Sequence, residues 1–147
     1  MGIPVFAPRF ETDQMRPFYE GLAKGELWMT ACSECGKWYW YPPEVSPCHP
    51  DAHIEWRPVS PVGEVYTFTT IHRSLLPGDH KADAPYTIVM VESETVPGAR
   101  IPSLLVNSEG REPACGMRVR LSPVQAGDWT LAAFEPFDGP SLETAAG

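Results

Sequence analysis

The stretch Leu27-Trp28-Met29-Thr30-Ala31-Cys32-Ser33-Glu34-Cys35-Gly36-Lys37-Trp38-Tyr39-Trp40-Tyr41 decides how the chain is read. Apolar and β-favouring residues flank a Cys-x2-Cys-Gly turn, so the segment reads as strand, tight knuckle, strand. Two thiolates on such a turn face one ion, and Gly36 relieves the backbone just beyond them. A third sulfur, Cys48, follows after twelve intervening residues within Ser46-Pro47-Cys48-His49-Pro50-Asp51-Ala52-His53, which lets a second loop tip meet the first. Three residues compete to be the fourth ligand. His49 directly follows Cys48, so both side chains would have to turn toward one ion from adjacent positions. Asp51 has good spacing but is a harder donor than a borderline-soft zinc site prefers. His53, four residues beyond Cys48, has knuckle-like spacing and an imidazole that zinc binds well. The expected set is Cys32, Cys35, Cys48 and His53, with His49 second; ordinary thiols in a degenerate ribbon are the alternative to any metal. Four protein ligands leave no open position for water or substrate, so the expected zinc is structural.

Upstream, Thr12 to Gly25 reads as a short amphipathic helix, with Asp13 as its cap and Pro17 in the first turn. Met15, Phe18 and Leu22 share one face, expected to cover the core, with a partner-docking surface as the alternative, and Gly25 ends the element. Downstream of Trp56 the pattern changes to strands separated by turn residues: Glu64 to Ile71, Tyr86 to Glu92, Ile101 to Val106, Met117 to Leu121 and Thr130 to Phe134. Met117 to Leu121 alternates as a half-buried strand should, and the run Thr87-Ile88-Val89-Met90-Val91 is apolar enough to be central. Seventeen prolines and twelve glycines cut the chain into short pieces, which disfavours long helices. The expected fold is mostly β: an N-terminal helical segment over residues 1–30, a zinc ribbon over 31–56, a five-stranded OB-type barrel over 57–137 and a flexible tail over 138–147. A five-strand sandwich is the structural alternative.

A formal net charge of −8, with only eleven Lys and Arg scattered along 147 residues, argues against nucleic acid as a partner. No basic start precedes an apolar run near Met1, and no stretch approaches the ~20 apolar residues of a membrane span, so a cytoplasmic protein is expected. Cysteines in that setting are more often ligands or free thiols than disulfides.

Catalytic groups are not expected. Cys115, in Pro113-Ala114-Cys115-Gly116, has no base or positive field nearby in sequence and reads as a small buried thiol at a strand start. His72 and His80, with Arg73, Asp79, Lys81 and Asp83, read as a solvated inter-strand loop. No Gly-rich phosphate cradle and no Ser-centred elbow are present. The run Trp38-Tyr39-Trp40-Tyr41 alternates faces as a strand, so one pair packs inward while the other is left for a ligand or a subunit interface.

In order and spacing the chain resembles the DUF35, or acyl-CoA-associated OB-fold, family of proteins with a rubredoxin-like zinc ribbon. The stretches that carry the likeness are Phe18-Tyr19-Glu20-Gly21-Leu22, Cys32-Ser33-Glu34-Cys35-Gly36, Tyr41-Pro42-Pro43, Glu55 to Ser60, Gly63 to Thr69, Pro85-Tyr86 and Gly116-Met117-Arg118-Val119. One departure stands out. Counting back from Trp56, the family's second cysteine pair falls on Ser46 and His49, whereas here Cys48 lies between them, so the four-cysteine site is not intact. The resemblance implies a non-catalytic subunit in a hetero-oligomer with a thiolase-like or ketosynthase-like catalytic chain. Such complexes act on acyl-CoA or ketoacyl substrates as thiolases, acyltransferases or side-chain aldolases, and the DUF35 partner helps to shape the acyl or CoA site. A stand-alone OB module binding acyl-CoA or single-stranded nucleic acid, and a self-sufficient zinc enzyme, are the competing expectations.

Overall fold

A computed structural model describes residues 13–75 and 84–140. The residues Asp79, His80, Lys81 and Asp83 of the inter-strand loop, and the tail from Ser141 on, lie outside the described residues.

A 3₁₀ turn, Asp13–Met15, leads into helix α1, Arg16–Ala23. The helix starts later than the sequence suggests: Met15 occupies the cap position without a side-chain hydrogen bond, and Pro17 stands in the first turn, where its missing N–H costs nothing. Gly25, at a φ of 76°, closes the element, its N–H bonded to the Leu22 carbonyl. Met15, Phe18 and Leu22 are all buried, so the apolar stripe covers the core as expected.

Three strands form the ribbon sheet: β1 (Leu27–Cys32), β2 (Trp38–Tyr39) and β3 (Ile54–Val59). β1 lies in the middle, antiparallel to both neighbours, with Cys32 opposite Ile54 and Leu27 opposite Val59. α1 packs close on β1: a Cβ at Gly21 would lie 2.4 Å from Trp28 Cδ1, so only glycine admits that approach.

β3 turns almost directly into β4 (Val62–Ile71), the first strand of the barrel, followed by β5 (Tyr86–Ser93), β6 (Ile101–Leu105), β7 (Arg118–Leu121) and, after the small hairpin β8 (Val124–Ala126) and β9 (Trp129–Leu131), β10 (Ala133–Pro136). The five strands close in the order β10-β6-β5-β4-β7, with β7 pairing back to β10. All contacts are antiparallel except β6 with β10, where Phe134 pairs with Leu105. Closure rules out the sandwich and removes free sheet edges, and this is an OB-type barrel. Its interior holds Val65, Val89, Val91, Ile101, Val119 and Phe134, each at most 2% exposed. A bulge at Tyr66, where the β4–β5 register shifts between Val65 and Thr67, supplies curvature that closure requires. Near its start, β4 leans on β5 so closely that a Cβ at Gly63 would lie 2.4 Å from the Glu92 carbonyl oxygen.

The segment expected as one strand from Thr130 to Phe134 divides at Ala132. Its first part belongs to the β8–β9 hairpin, turning on Gly127-Asp128, and packs on α1 through an edge-on contact of Tyr19 and Trp129 with ring centres 5.4 Å apart. Only its second part enters the barrel.

Candidate metal centre

Cys32 ends β1, and the chain turns through Ser33 to Lys37 into β2. The knuckle is fixed by its backbone: Cys32 N–H donates to the Lys37 carbonyl, and Gly36 N–H donates to the Cys32 carbonyl, both at 2.9 Å, with Gly36 at a φ of 74°. That places Cys32 Sγ and Cys35 Sγ on one side of the turn. The loop after β2 returns Cys48 and His49 to the same point. Cys35 Sγ and Cys48 Sγ lie 3.3 Å apart, His49 Nδ1 lies 3.7 Å from Cys32 Sγ, and the donor atoms of all four residues fall within 4.8 Å of one another.

This donor set suits zinc. Tetrahedral zinc with Zn–S bonds of about 2.3 Å spaces its ligands about 3.8 Å apart, and three soft sulfurs with one imidazole are a common structural set. The group fills four positions with protein atoms, which leaves none for substrate.

The hydrogen bonds around the sulfurs prepare them as thiolates. The Cys48 thiol is pushed down to about 5, first by the Ser46 hydroxyl and then by the Tyr39 hydroxyl. Cys32 is lowered chiefly by the backbone N–H of Cys35 and next by Ser46. For Cys35 the backbone N–H of Lys37 lowers the thiol, but the neighbouring Cys48 and Cys32 sulfurs and burial outweigh it, so the net direction is up. The Tyr39 phenol is pushed up to about 12, first by its contact with Cys48, and His49 is raised by Cys48 and then Cys32. Charge held by shared protons here is the charge that a dication replaces when the ligands deprotonate.

Three of the four residues chosen from sequence therefore come together, and His49 joins them in place of His53. The pairing of β1 with β3 explains the difference. Cross-strand partners point to one face of a sheet and successive residues to opposite faces. Cys32 faces with Ile54, whereas His53 continues the pairing opposite Ser33: Ser33 N–H donates to the His53 carbonyl at 2.9 Å and His53 N–H to Ser33 Oγ at 3.1 Å. The pleat thus turns the His53 ring away from Cys32, to solvent, where its Nε2 lies 3.7 Å from Glu55. Asp51 also lies outside the group.

The aromatic run divides much as alternation suggests. Trp38 and Trp40 pack on the core, with Trp40 4.9 Å from the Phe18 ring and 6.1 Å from Trp56. Tyr39 stands by Cys48, under the Lys37 ammonium, and Tyr41 is 63% exposed. An open, mostly apolar cleft of about 250 Å³ lies beside them, lined by Phe18, Trp40, Tyr41, Ile101, Pro102 and Leu131, among others. Cys115 corrects an expectation: it is exposed, because it sits in the turn Ala114 to Met117, where Gly116 adopts a φ of 87°, and not within β7. His72 is exposed just past the end of β4.

A zinc ribbon joined to an OB barrel is a two-part architecture, and the sequence matches family models for both parts. Residues 20–49 match the ChsH2 rubredoxin-like zinc ribbon domain and residues 56–123 the ChsH2 C-terminal OB-fold domain, together roughly two thirds of the chain. The chain belongs to the family of ChsH2-like zinc-ribbon and OB-fold proteins. Among solved structures, a chain of the Ltp2-ChsH2(DUF35) aldolase is similar at 22% identity and a TM-score of 0.73, over 88% of this chain and 98% of that one. A DUF35 protein of unknown function from Sulfolobus solfataricus is similar at 14% identity and a TM-score of 0.56, over 83% of this chain and 84% of that one. No curated protein matches significantly.

Proposed function

We propose that the chain is the non-catalytic zinc-ribbon and OB-fold subunit of a thiolase-superfamily complex acting on acyl-CoA or ketoacyl substrates. The observation that carries this reading is the end-to-end likeness to the ChsH2(DUF35) chain of an aldolase that its name pairs with Ltp2, in ribbon and barrel alike. In this reading a thiolase-like or ketosynthase-like chain performs thiolysis, acyl transfer or side-chain aldol cleavage. This chain completes the hetero-oligomer and borders the acyl site. The ion is a structural zinc held by Cys32, Cys35, Cys48 and His49, whose part is to fix the ribbon and, with it, Trp40, Tyr41 and Val45.

Tyr41 and Val45 support an interface role: both are more than 60% exposed on the ribbon loop, Tyr41 lines the aromatic cleft, and exposed aromatics are common interface anchors. The same surface would suit contact with an acyl group. Among the described residues no helix is long and apolar enough to cross a membrane. The reading places the complex in the cytoplasm.

Co-expression with a thiolase-like or ketosynthase-like candidate tests it. The two chains are expected to co-elute as a stable complex, and retro-aldol, thiolytic or acyl-transfer turnover of a ketoacyl-CoA is expected only when both are present. Turnover by this chain alone, or no association with any such candidate, would overturn the proposal.

A further inference from the structure

Cys48 and His49 are consecutive, and consecutive side chains in extended backbone point to opposite faces. Their donors nevertheless converge with those of Cys32 and Cys35. The residue placed to make this possible is Ser46. It is 1% exposed, its Oγ lies 3.4 Å from Cys48 Sγ, and the same Oγ accepts the backbone N–H of His49 at 3.3 Å. The turn continues as Ala52 N–H donates to the His49 carbonyl at 2.9 Å.

A hydroxyl has one proton to give and two lone pairs to receive with. A metal-bound thiolate has no proton, so at Cys48 the serine is the donor, which leaves a lone pair for the His49 amide. One buried group thereby grips the sulfur of one ligand and the backbone of the next. Burial makes both bonds consequential, because a buried hydroxyl left unpaired is costly. We propose that Ser46 is a positioning residue of the metal centre, the group that lets a consecutive Cys-His pair serve as two ligands of one ion. The inference rests on the reading of the four-residue group as a zinc site.

Outer-shell partners of this kind are worth 10–100-fold in metal affinity.

The test uses the full chain, with zinc affinity from chelator competition and the ligand field from cobalt substitution. Wild-type protein is expected to take one zinc and to show a tetrahedral cobalt spectrum with thiolate charge-transfer bands. Ser46→Ala is expected to weaken zinc about 10–100-fold and to shift those bands, since a hydrogen bond to sulfur has been removed. Ser46→Thr, which keeps the hydroxyl, is expected to restore both. Failure of the wild-type chain to bind zinc would sink the zinc reading and this inference together. With the wild type loaded, an alanine variant of unchanged affinity and spectrum would overturn the role of Ser46 alone. So would a loss of affinity with an unshifted cobalt spectrum that threonine does not rescue, which would mark Ser46 as a brace of the loop only.

Discussion

The ribbon and the barrel are both small β structures, but different forces hold them. The barrel closes on itself, pairs every strand on both edges and fills its interior with Val65, Val89, Val91, Ile101, Val119 and Phe134. The ribbon sheet has three strands, one of only two residues, and among its strand residues only Leu27, Met29, Thr30, Ala31 and Cys32 of β1 are buried. Its far end, from Cys32 to His53, gathers four metal-binding side chains, and within that stretch Trp38 and Trp40 reach back to the shared apolar core. Burial specifies the first region and ligand chemistry the second, so perturbations should separate them.

Removing the metal should have the largest effect. Structural zinc contributes about 10–16 kcal/mol of apparent binding energy at neutral pH in small fingers, far more than any single apolar contact. Chelation, or Cys32→Ser, is expected to unfold the knuckle and the 40–53 loop while the barrel remains folded. Hydrogen exchange resolved along the sequence checks this: loss of protection confined to about residues 32–53 is expected, and equal loss in β4 to β7 would show that the two regions are one cooperative unit. Acid should mimic chelation, since protons compete for the thiolates and the imidazole. Among these sulfurs the competition is weakest at Cys48, whose thiol is pushed down to about 5, and strongest at Cys35, whose thiol is pushed up.

Two barrel substitutions probe the other side of the comparison. Phe134 is 1% exposed and sits where β10 joins β6 and β7. Phe134→Ala is expected to cost about 3–5 kcal/mol in urea denaturation, with zinc content unchanged in the protein that stays folded. Gly63→Ala should cost less, about 1–3 kcal/mol, because the added methyl meets the Glu92 carbonyl and forces β4 and β5 apart. Full zinc content with a lowered midpoint would confirm that the regions are energetically separable; zinc loss at native denaturant levels would contradict it.

The same contrast explains what the sequence made legible. Alternation at Met117 to Leu121 and the apolar run at Val89 located barrel strands because a closed sheet imposes an inside and an outside on each of them. The knuckle was equally readable, since Cys32, Cys35 and Gly36 are local. Two features were not local. Leu131, Ala132 and Ala133 give no sign in composition that the chain changes partner there, from β8 to the barrel. The choice of His49 over His53 depends on Cys32 pairing with Ile54, a register known only once β1 and β3 are aligned. Cys115 was misplaced for a simpler reason: the turn at Gly116 delays β7 by a residue, leaving the thiol outside it.

The smallest effect belongs to the barrel surface. Glu135 on β10 accepts from Asn107 Nδ2 at 2.8 Å and from Arg120 Nε at 2.8 Å. Its carboxyl is held below the ordinary range, first by Asn107 and then by Arg120. A carboxylate whose folded value is depressed adds stability that is fully present above its unfolded value near 4.3 and fades as pH falls through the folded one. Arg120 is 53% exposed, so screening keeps the contribution to about 0.2–1 kcal/mol. Glu135→Gln is therefore expected to lower the urea midpoint slightly at pH 7 and not at all at about pH 2, with zinc content unchanged at pH 7. A gap between the two proteins that persists in acid would mean that the residue acts through the shape of its hydrogen bonds and not through its charge. In that case the barrel would owe this surface contact to geometry and not to charge.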